Sequence, residues 1–287
     1  MSASKSVGTS RVHLALFLTM IVWGVNLSAV KGLTESLDIL LVAAVRMIMA
    51  SMVLALMSWR WGRTLAHWKV RDWVLLVVAA FFLVYCQQIA FAAGLARTTA
   101  TNAALVMALG PAISLSLEAF AFRRPISRRQ GIGIVLALSG VAAVILHRPN
   151  AALTSAAWGD FWILCSVFGF ALGGLCIQRL TMNGSPLSVS LAVHCAGAAM
   201  LSLHVTLAVE SPINDVLNMT PWQWSLASFS AVLATGVGSV IWSRGISSIG
   251  VGRTSTYISW VPIFGVCFGA LFFSEPLTVW HALGLVA

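Results

Sequence analysis

Long apolar runs dominate the chain. Each is about the length that crosses a bilayer, and each closes at a short polar break. A helix needs roughly 20 apolar residues to cross a hydrocarbon core about 30 Å thick. Runs of that length fall at 13–33, 38–58, 73–95, 99–121, 128–147, 158–178, 186–209, 222–244 and 252–273, and a tenth opens at 277. The breaks between them are rich in Gly, Pro and charge. This pattern predicts an all-α integral membrane protein with ten transmembrane helices, the last one incomplete where the sequence stops at Ala287. The first run is long enough to span and lacks a small-residue cleavage site, so it reads as a helix and not as a signal peptide.

Composition agrees with the pattern. Apolar residues make up 59% of the chain and charged residues 9%, with a mean hydropathy of +0.93. A soluble domain carries about 25% charged residues. A soluble enzyme, a disordered chain and a secreted disulfide scaffold are excluded. Cys86, Cys165, Cys176, Cys195 and Cys267 all lie within apolar runs, and no CxxC occurs. Neither a disulfide framework nor a zinc site is expected.

The net charge of +9 gains meaning from its distribution. With the N-terminus in the cytoplasm, 13 of the 17 Lys and Arg residues fall on inner segments, among them Arg60, Arg63, Lys69 and Arg71, and Arg123, Arg124, Arg128 and Arg129. Lys31, Arg97 and Arg148 fall outside, and Arg46 lies within a span. This is the positive-inside bias. Trp59, Trp61, Trp68 and Trp73 mark one interface; Trp158, Trp222, Trp224 and Trp280 mark the other. Trp23 and Trp260 lie too deep for an interfacial belt, roughly 12–15 Å along their helices.

The chain overlays on itself. A shift of 151 places Gly94 on Gly245, Pro111 on Pro262, Pro125 on Pro276 and Gly133 on Gly284. A shift of 148 pairs Lys31 with Arg179 and sets Arg46 opposite His194. Two five-helix repeats are therefore expected, at 1–148 and 149–287. Five is odd, so the second repeat enters from the opposite face. Inverted repeats are the architecture of alternating access.

The residues WGVN (Trp23–Asn26), AAVRM (Ala43–Met47), TTATNAALVMALGP in span four and SEPLT (Ser274–Thr278) resemble the EamA-type branch of the drug/metabolite transporter superfamily. The resemblance covers essentially the whole chain. It implies a ten-helix carrier of the bacterial inner membrane, similar to exporters of aromatic amino acids.

Several residues carry candidate chemistry. Pro111 and Pro262 lie mid-span, where proline removes a backbone hydrogen bond and bends the helix. They are read as kinks that bow spans four and nine around a central site. Arg46, costly at its depth, faces inward. It pairs with a substrate carboxylate or, in the structural alternative, satisfies carbonyls or snorkels. His194 and Glu118 are candidates for proton coupling, set against a satisfied bundle histidine and pairing with nearby arginines. Trp23, Asn26, Tyr85, Gln87, Gln88, Asn102, Tyr257 and Trp260 form an aromatic and amide set that suits an amphipathic small molecule, the alternative being interhelical hydrogen bonds. The contacts expected for substrate are Trp23, Asn26, Arg46, Tyr85, Gln88, Asn102, Tyr257 and Trp260, in a cavity lined by spans 1, 3, 4, 6, 8 and 9. Gly169/Gly173 and Gly265/Gly269 are expected to draw helices together within the bundle.

Walker A, HExxH and GxGxxG patterns are absent. No cofactor, metal or nucleic acid is expected. The partners are a small-molecule substrate and the lipid bilayer, and a monomer suffices. The reading is a secondary carrier exporting aromatic or hydrophobic amino acids. Its rivals are a carrier of other metabolites or drugs, an integral-membrane enzyme and a channel.

Overall fold

The computed structural model describes residues 2–61, 68–121, 123, 126–146 and 155–273. All regular structure among them is helical. Helices α1 (Ser2–Thr34), α2 (Ile39–Trp61) and α3 (Val70–Leu95) are followed by α4, which is broken into Ala100–Met107 and Gly110–Ala121. Next come α5 (Arg128–Leu146), α6 (Ser155–Leu180), α7 (Pro186–Ala208) and α8 (Pro221–Ile249). The last described helix, α9, runs in three pieces: Val251–Ser255, a 3-10 turn Thr256–Trp260, and Val261–Phe273. Seven of the described helices are long and apolar enough to cross a membrane. The expected tenth helix, from residue 277, lies outside the described residues, as does Pro276.

Short polar residues start these helices. Asp38 Oδ1 accepts from the N–H groups of Leu40 and Leu41 at 2.8 and 3.2 Å. Thr99, Ser185 and Thr220 each accept from the N–H three residues on, and Pro186 and Pro221 follow two of them at the first helical position. A cap offers an acceptor to an otherwise unpaired N–H, and proline there loses no hydrogen bond.

Contacts between connections define two ends. At one, Lys31 Nζ donates to Leu95 O and Thr98 O at 3.1 and 3.0 Å, Thr98 Oγ1 donates to Asp160 Oδ1 at 2.8 Å, and Gln223 Nε2 donates to Ser36 Oγ at 2.8 Å. At the other, Asn183 Nδ2 donates to Asp72 Oδ1 at 3.3 Å, and Glu118 Oε2 accepts from Gly252 N at 2.9 Å.

Both prolines fall where helices break. Pro111 is the second residue of Gly110–Ala121, and Pro262 is the second residue of Val261–Phe273. The segments opened by Gly110 and Val261 start 151 residues apart, the interval of the sequence overlay. A second matched irregularity lies in α3 and α8. Phe81–Cys86 and Ser230–Val237 are wide π turns, starting 149 residues apart.

Glycine lets α6 and α7 approach α3. A Cβ on Gly173 would fall 2.5 Å from Leu83 Cβ, and one on Gly197 would fall 2.3 Å from Val84 Cβ. Gly169 is equally close to Phe82 O, at 2.8 Å. Small residues at such crossings let helices pack without a hydrophobic driving force.

The perimeter is apolar. Leu14, Met52, Leu56, Val74, Phe120, Val135, Leu203 and Leu271 are all exposed. A patchwork of this extent needs lipid, not water, around it. Trp59, Trp158 and Trp222 are exposed, as interfacial residues must be. Trp68 is not: it is buried against Gly184 and meets Trp73 edge-on, with ring centroids 5.4 Å apart. It packs on the connection between α6 and α7 and does not join the belt.

Candidate functional site

A cavity opens in the middle of the bundle, with about 110 Å³ available to the centres of water-sized spheres. One water occupies roughly 10–15 Å³ on that measure, so the space suits a small organic molecule. It is lined by Trp23, Asn26 and Leu27 from α1, Arg46 from α2, Leu83, Gln87, Gln88 and Phe91 from α3, and Met107 and Gly110 from α4. From the other half come Ser166, Val167, Phe170 and Ile177 of α6, Ser190 and His194 of α7, Ala234, Thr235, Ser239, Trp242 and Ser243 of α8, and Ile258 of α9. Helices α2 and α7 thus join the six spans expected, through the residues that the sequence overlay pairs, Arg46 and His194.

Arg46 organises one wall. It is 1% exposed, so its charge is held by side chains and not by water. Nε donates to Ser230 Oγ at 2.5 Å, and Nη1 donates to Gln88 Oε1 at 3.0 Å. Ser230 Oγ donates to Asn26 Oδ1 in a short hydrogen bond, and Gln88 Nε2 donates to Gln87 Oε1 at 2.6 Å. This satisfies the guanidinium neither through main-chain carbonyls nor by snorkelling, the two structural roles open to it from sequence.

The network has a forced polarity. A guanidinium only donates, so Gln88 must turn its oxygen toward Arg46 and its NH₂ toward Gln87. Ser230, having accepted from Arg46, donates to Asn26. Both amide oxygens at the ends of the chain are thereby used. What remains toward the cavity is donors only: Asn26 Nδ2, Gln87 Nε2 and Arg46 Nη2, none with a protein acceptor among the described residues. No carboxylate is among the described lining residues. The described acids are engaged elsewhere or lie in connections: Asp38, Asp72, Glu118 and Asp160 hold the contacts given above.

An aromatic wall stands beside it. Trp23 meets Phe170 edge-on at 5.7 Å and Trp242 at 5.2 Å, and Phe170 lies 5.1 Å from Trp242. Trp23 Nε1 donates to Ala234 O at 2.9 Å. Such contacts lock the rings and leave their faces for apolar ligand surface.

His194 lies on α7, the helix packed against α2. Its Nδ1 is 2.8 Å from Ser190 O. A carbonyl only accepts, so Nδ1 carries the proton and Nε2 presents a lone pair.

Of the residues singled out by sequence, Trp23, Asn26, Arg46, Gln87, Gln88 and His194 line the cavity. Tyr85, Asn102, Tyr257, Trp260 and Glu118 do not. The two tyrosines are each held by a histidine: Tyr85 Oη is 2.8 Å from His204 Nδ1, and Tyr257 Oη is 2.5 Å from His13 Nδ1. A phenol at membrane depth needs a polar partner, and a neighbouring helix supplies it. Trp260 is 44% exposed and packs edge-on against Phe17, 5.1 Å away, on the outside of the bundle. Asn102 sits in the first turn of α4, its N–H capped by Thr99. Glu118 binds Gly252 at the end of the bundle. Pro111 and Pro262 contribute through the breaks: Gly110 and Ile258 both reach the cavity, where a Cβ on Gly110 would be 3.4 Å from Ile258 Cγ2.

Trp242 and Phe170, which line the cavity, and Ser230, which holds Arg46 from behind the lining, are residues that sequence reasoning missed. For Trp242 the reason is length. The expected span ended at 244, two residues beyond it; α8 continues to Ile249 and sets it two turns from the helix end.

A helical bundle with a lipid-facing perimeter and a polar-floored central cavity defines a multi-pass membrane transporter. The chain belongs to the EamA-like transporter family, which matches residues 10–146 and again 157–287, and through it to the drug/metabolite transporter superfamily. The chain is similar to the uncharacterized transporter YetK of Bacillus subtilis, at 24% identity over 95% of this chain and 83% of that one. It is also similar to an Escherichia coli protein named "Probable amino-acid metabolite efflux pump", at 23% identity over 94% of this chain and 89% of that one. A solved crystal structure superposes with a TM-score of 0.69 at 15% identity, covering 96% of this chain and 93% of that chain, and so shares the fold.

Proposed function

We propose that the protein exports small carboxylate-bearing metabolites, namely aromatic or hydrophobic amino acids, across a bacterial inner membrane by alternating access. The donor-only cluster around Arg46 carries this reading. A buried cation without a protein counter-charge is costly in a membrane, and a ligand carboxylate supplies that charge with bidentate geometry. The adjoining Trp23–Phe170–Trp242 wall suits an aromatic or apolar side chain. The name of the E. coli relative supports amino-acid export.

In this reading, residues 1–148 and 149–287 form two five-helix repeats of opposite orientation. The paired breaks in α4 and α9 and the paired π turns in α3 and α8 support it. The basic connections support a cytoplasmic position for the N-terminus and the Asn183 end. The contacts Thr98–Asp160 and Glu118–Gly252 then join the repeats at opposite faces, and the halves rock by releasing one while keeping the other. Chemistry on the substrate is not part of the cycle, and one chain suffices.

Counterflow in proteoliposomes tests this. Labelled phenylalanine accumulating against preloaded unlabelled phenylalanine is expected. A current that does not saturate with concentration indicates a channel instead. No uptake across a panel of amino acids removes the substrate assignment.

A further inference from the structure

We infer that His194 Nε2 accepts a hydrogen bond from the ligand's ammonium, so that the cavity distinguishes amino acids from carboxylic acids lacking the amine. The inference rests on the carboxylate site around Arg46 and assigns the second pole of that site.

Three observations carry it. The first is the fixed tautomer. Ser190 O takes the Nδ1 proton, so neutral His194 offers an acceptor and no other donor. The second is that Nε2 has no partner among the described residues and is not sealed within the packing, whereas the sealed, unpartnered polar atoms among those residues lie elsewhere, for example on Ser28 and Ser255. An imidazole acceptor left facing a cavity calls for a donor. The third is contrast. Every unused group around Arg46 donates, and His194 on the facing helix accepts. A carboxylate alone satisfies the first set and leaves the histidine unpaired. An α-amino acid, with an acceptor group and a donor group on adjacent carbons, satisfies both. Ser51 on α2 lies against Cys195 on α7, so the level of His194 is about a turn and a half from that of Arg46.

The test uses the full chain in detergent or nanodiscs, with phenylalanine and 3-phenylpropionate as probes of equal ring and carboxylate. Hydrogen bonds to charged groups are the stronger ones, and phenylalanine is expected to bind about tenfold tighter or more. His194→Leu is expected to bring the two probes to parity. His194→Gln, whose amide oxygen can still accept, keeps a preference of several-fold. Equal binding of the two probes by the unaltered protein overturns the inference and leaves the carboxylate site standing. A preference that survives in folded His194→Leu, with an unchanged Tm, overturns it too. Failure of both probes to bind overturns the carboxylate reading itself. Should His194→Leu not fold, the probe pair on the unaltered protein and on His194→Gln decides.

Discussion

Glu118 on α4 accepts a hydrogen bond of 2.9 Å from the backbone N–H of Gly252 at the start of α9. The contact joins the stretch matched at 10–146 to the stretch matched at 157–287. A Cβ at 252 would lie 2.4 Å from Glu118 Oε2, so a side chain there would push the carboxylate off this bond.

Gly252→Ala is therefore expected to cost about 1–2 kcal/mol, the hydrogen bond that the displaced carboxylate gives up. Glu118→Ala removes the acceptor and costs about 1–2 kcal/mol. The double variant should cost less than the sum, because the clash vanishes with the carboxylate. Thermal unfolding of the three variants in detergent measures the coupling. Strict additivity would mean the two residues do not constrain each other.

Arg46→Lys should abolish most substrate affinity, by at least tenfold. An ammonium cannot reach Ser230 and Gln88 together and still present a planar fork to a carboxylate. Equilibrium binding of phenylalanine checks this, with Tm reporting any loss of fold. Full affinity in the lysine variant would reduce Arg46 to a bare positive charge.

Gly197→Ala should be among the more damaging single-atom-scale changes in the bundle. Its Cβ would meet Val84 Cβ at 2.3 Å inside the π turn of α3. A loss of about 1–3 kcal/mol is expected, and Gly133→Ala, with open space around it, serves as the neutral comparison. Equal Tm values for the two would show that α7 can back away from α3 at no cost.

Tyr85→Phe should lower stability by about 1 kcal/mol through loss of the bond to His204. Phenylalanine affinity should stay within twofold, since the ring lies outside the cavity. A large affinity loss would place the α3–α7 contact in the binding machinery.

The helical architecture was legible because lipid imposes it: each of the nine apolar runs is matched by a helical stretch among the described residues, although α1 starts eleven residues before its run and α8 ends five residues after its own. Arg46 and His194 were legible because charge and titratable groups at such depth need an interior. The tyrosines were not. Tyr85 and Gln88, three apart, share a face in a regular helix, but the π turn at Phe81–Cys86 widens the ladder and parts them: Tyr85 goes to α7, and Gln87 and Gln88 go inward. Trp260 defeats the same reasoning in α9, where the 3-10 turn Thr256–Trp260 winds tighter than 3.6 residues and turns the indole outward. Helical periodicity reads faces only where the helix is regular, and this chain is irregular where it surrounds the cavity.

The π turns also bear on how the ligand-holding wall is mounted. Gln87 follows one directly, and Ser230 begins the other. A π turn carries one more residue than an α turn, and its hydrogen bonds run from i to i+5. The wall proposed to hold a carboxylate thus hangs on two stretches of backbone with slack in them. Taking up that slack at either stretch would turn Gln88 or Ser230 away from Arg46 and loosen the proposed grip while every helix stays upright.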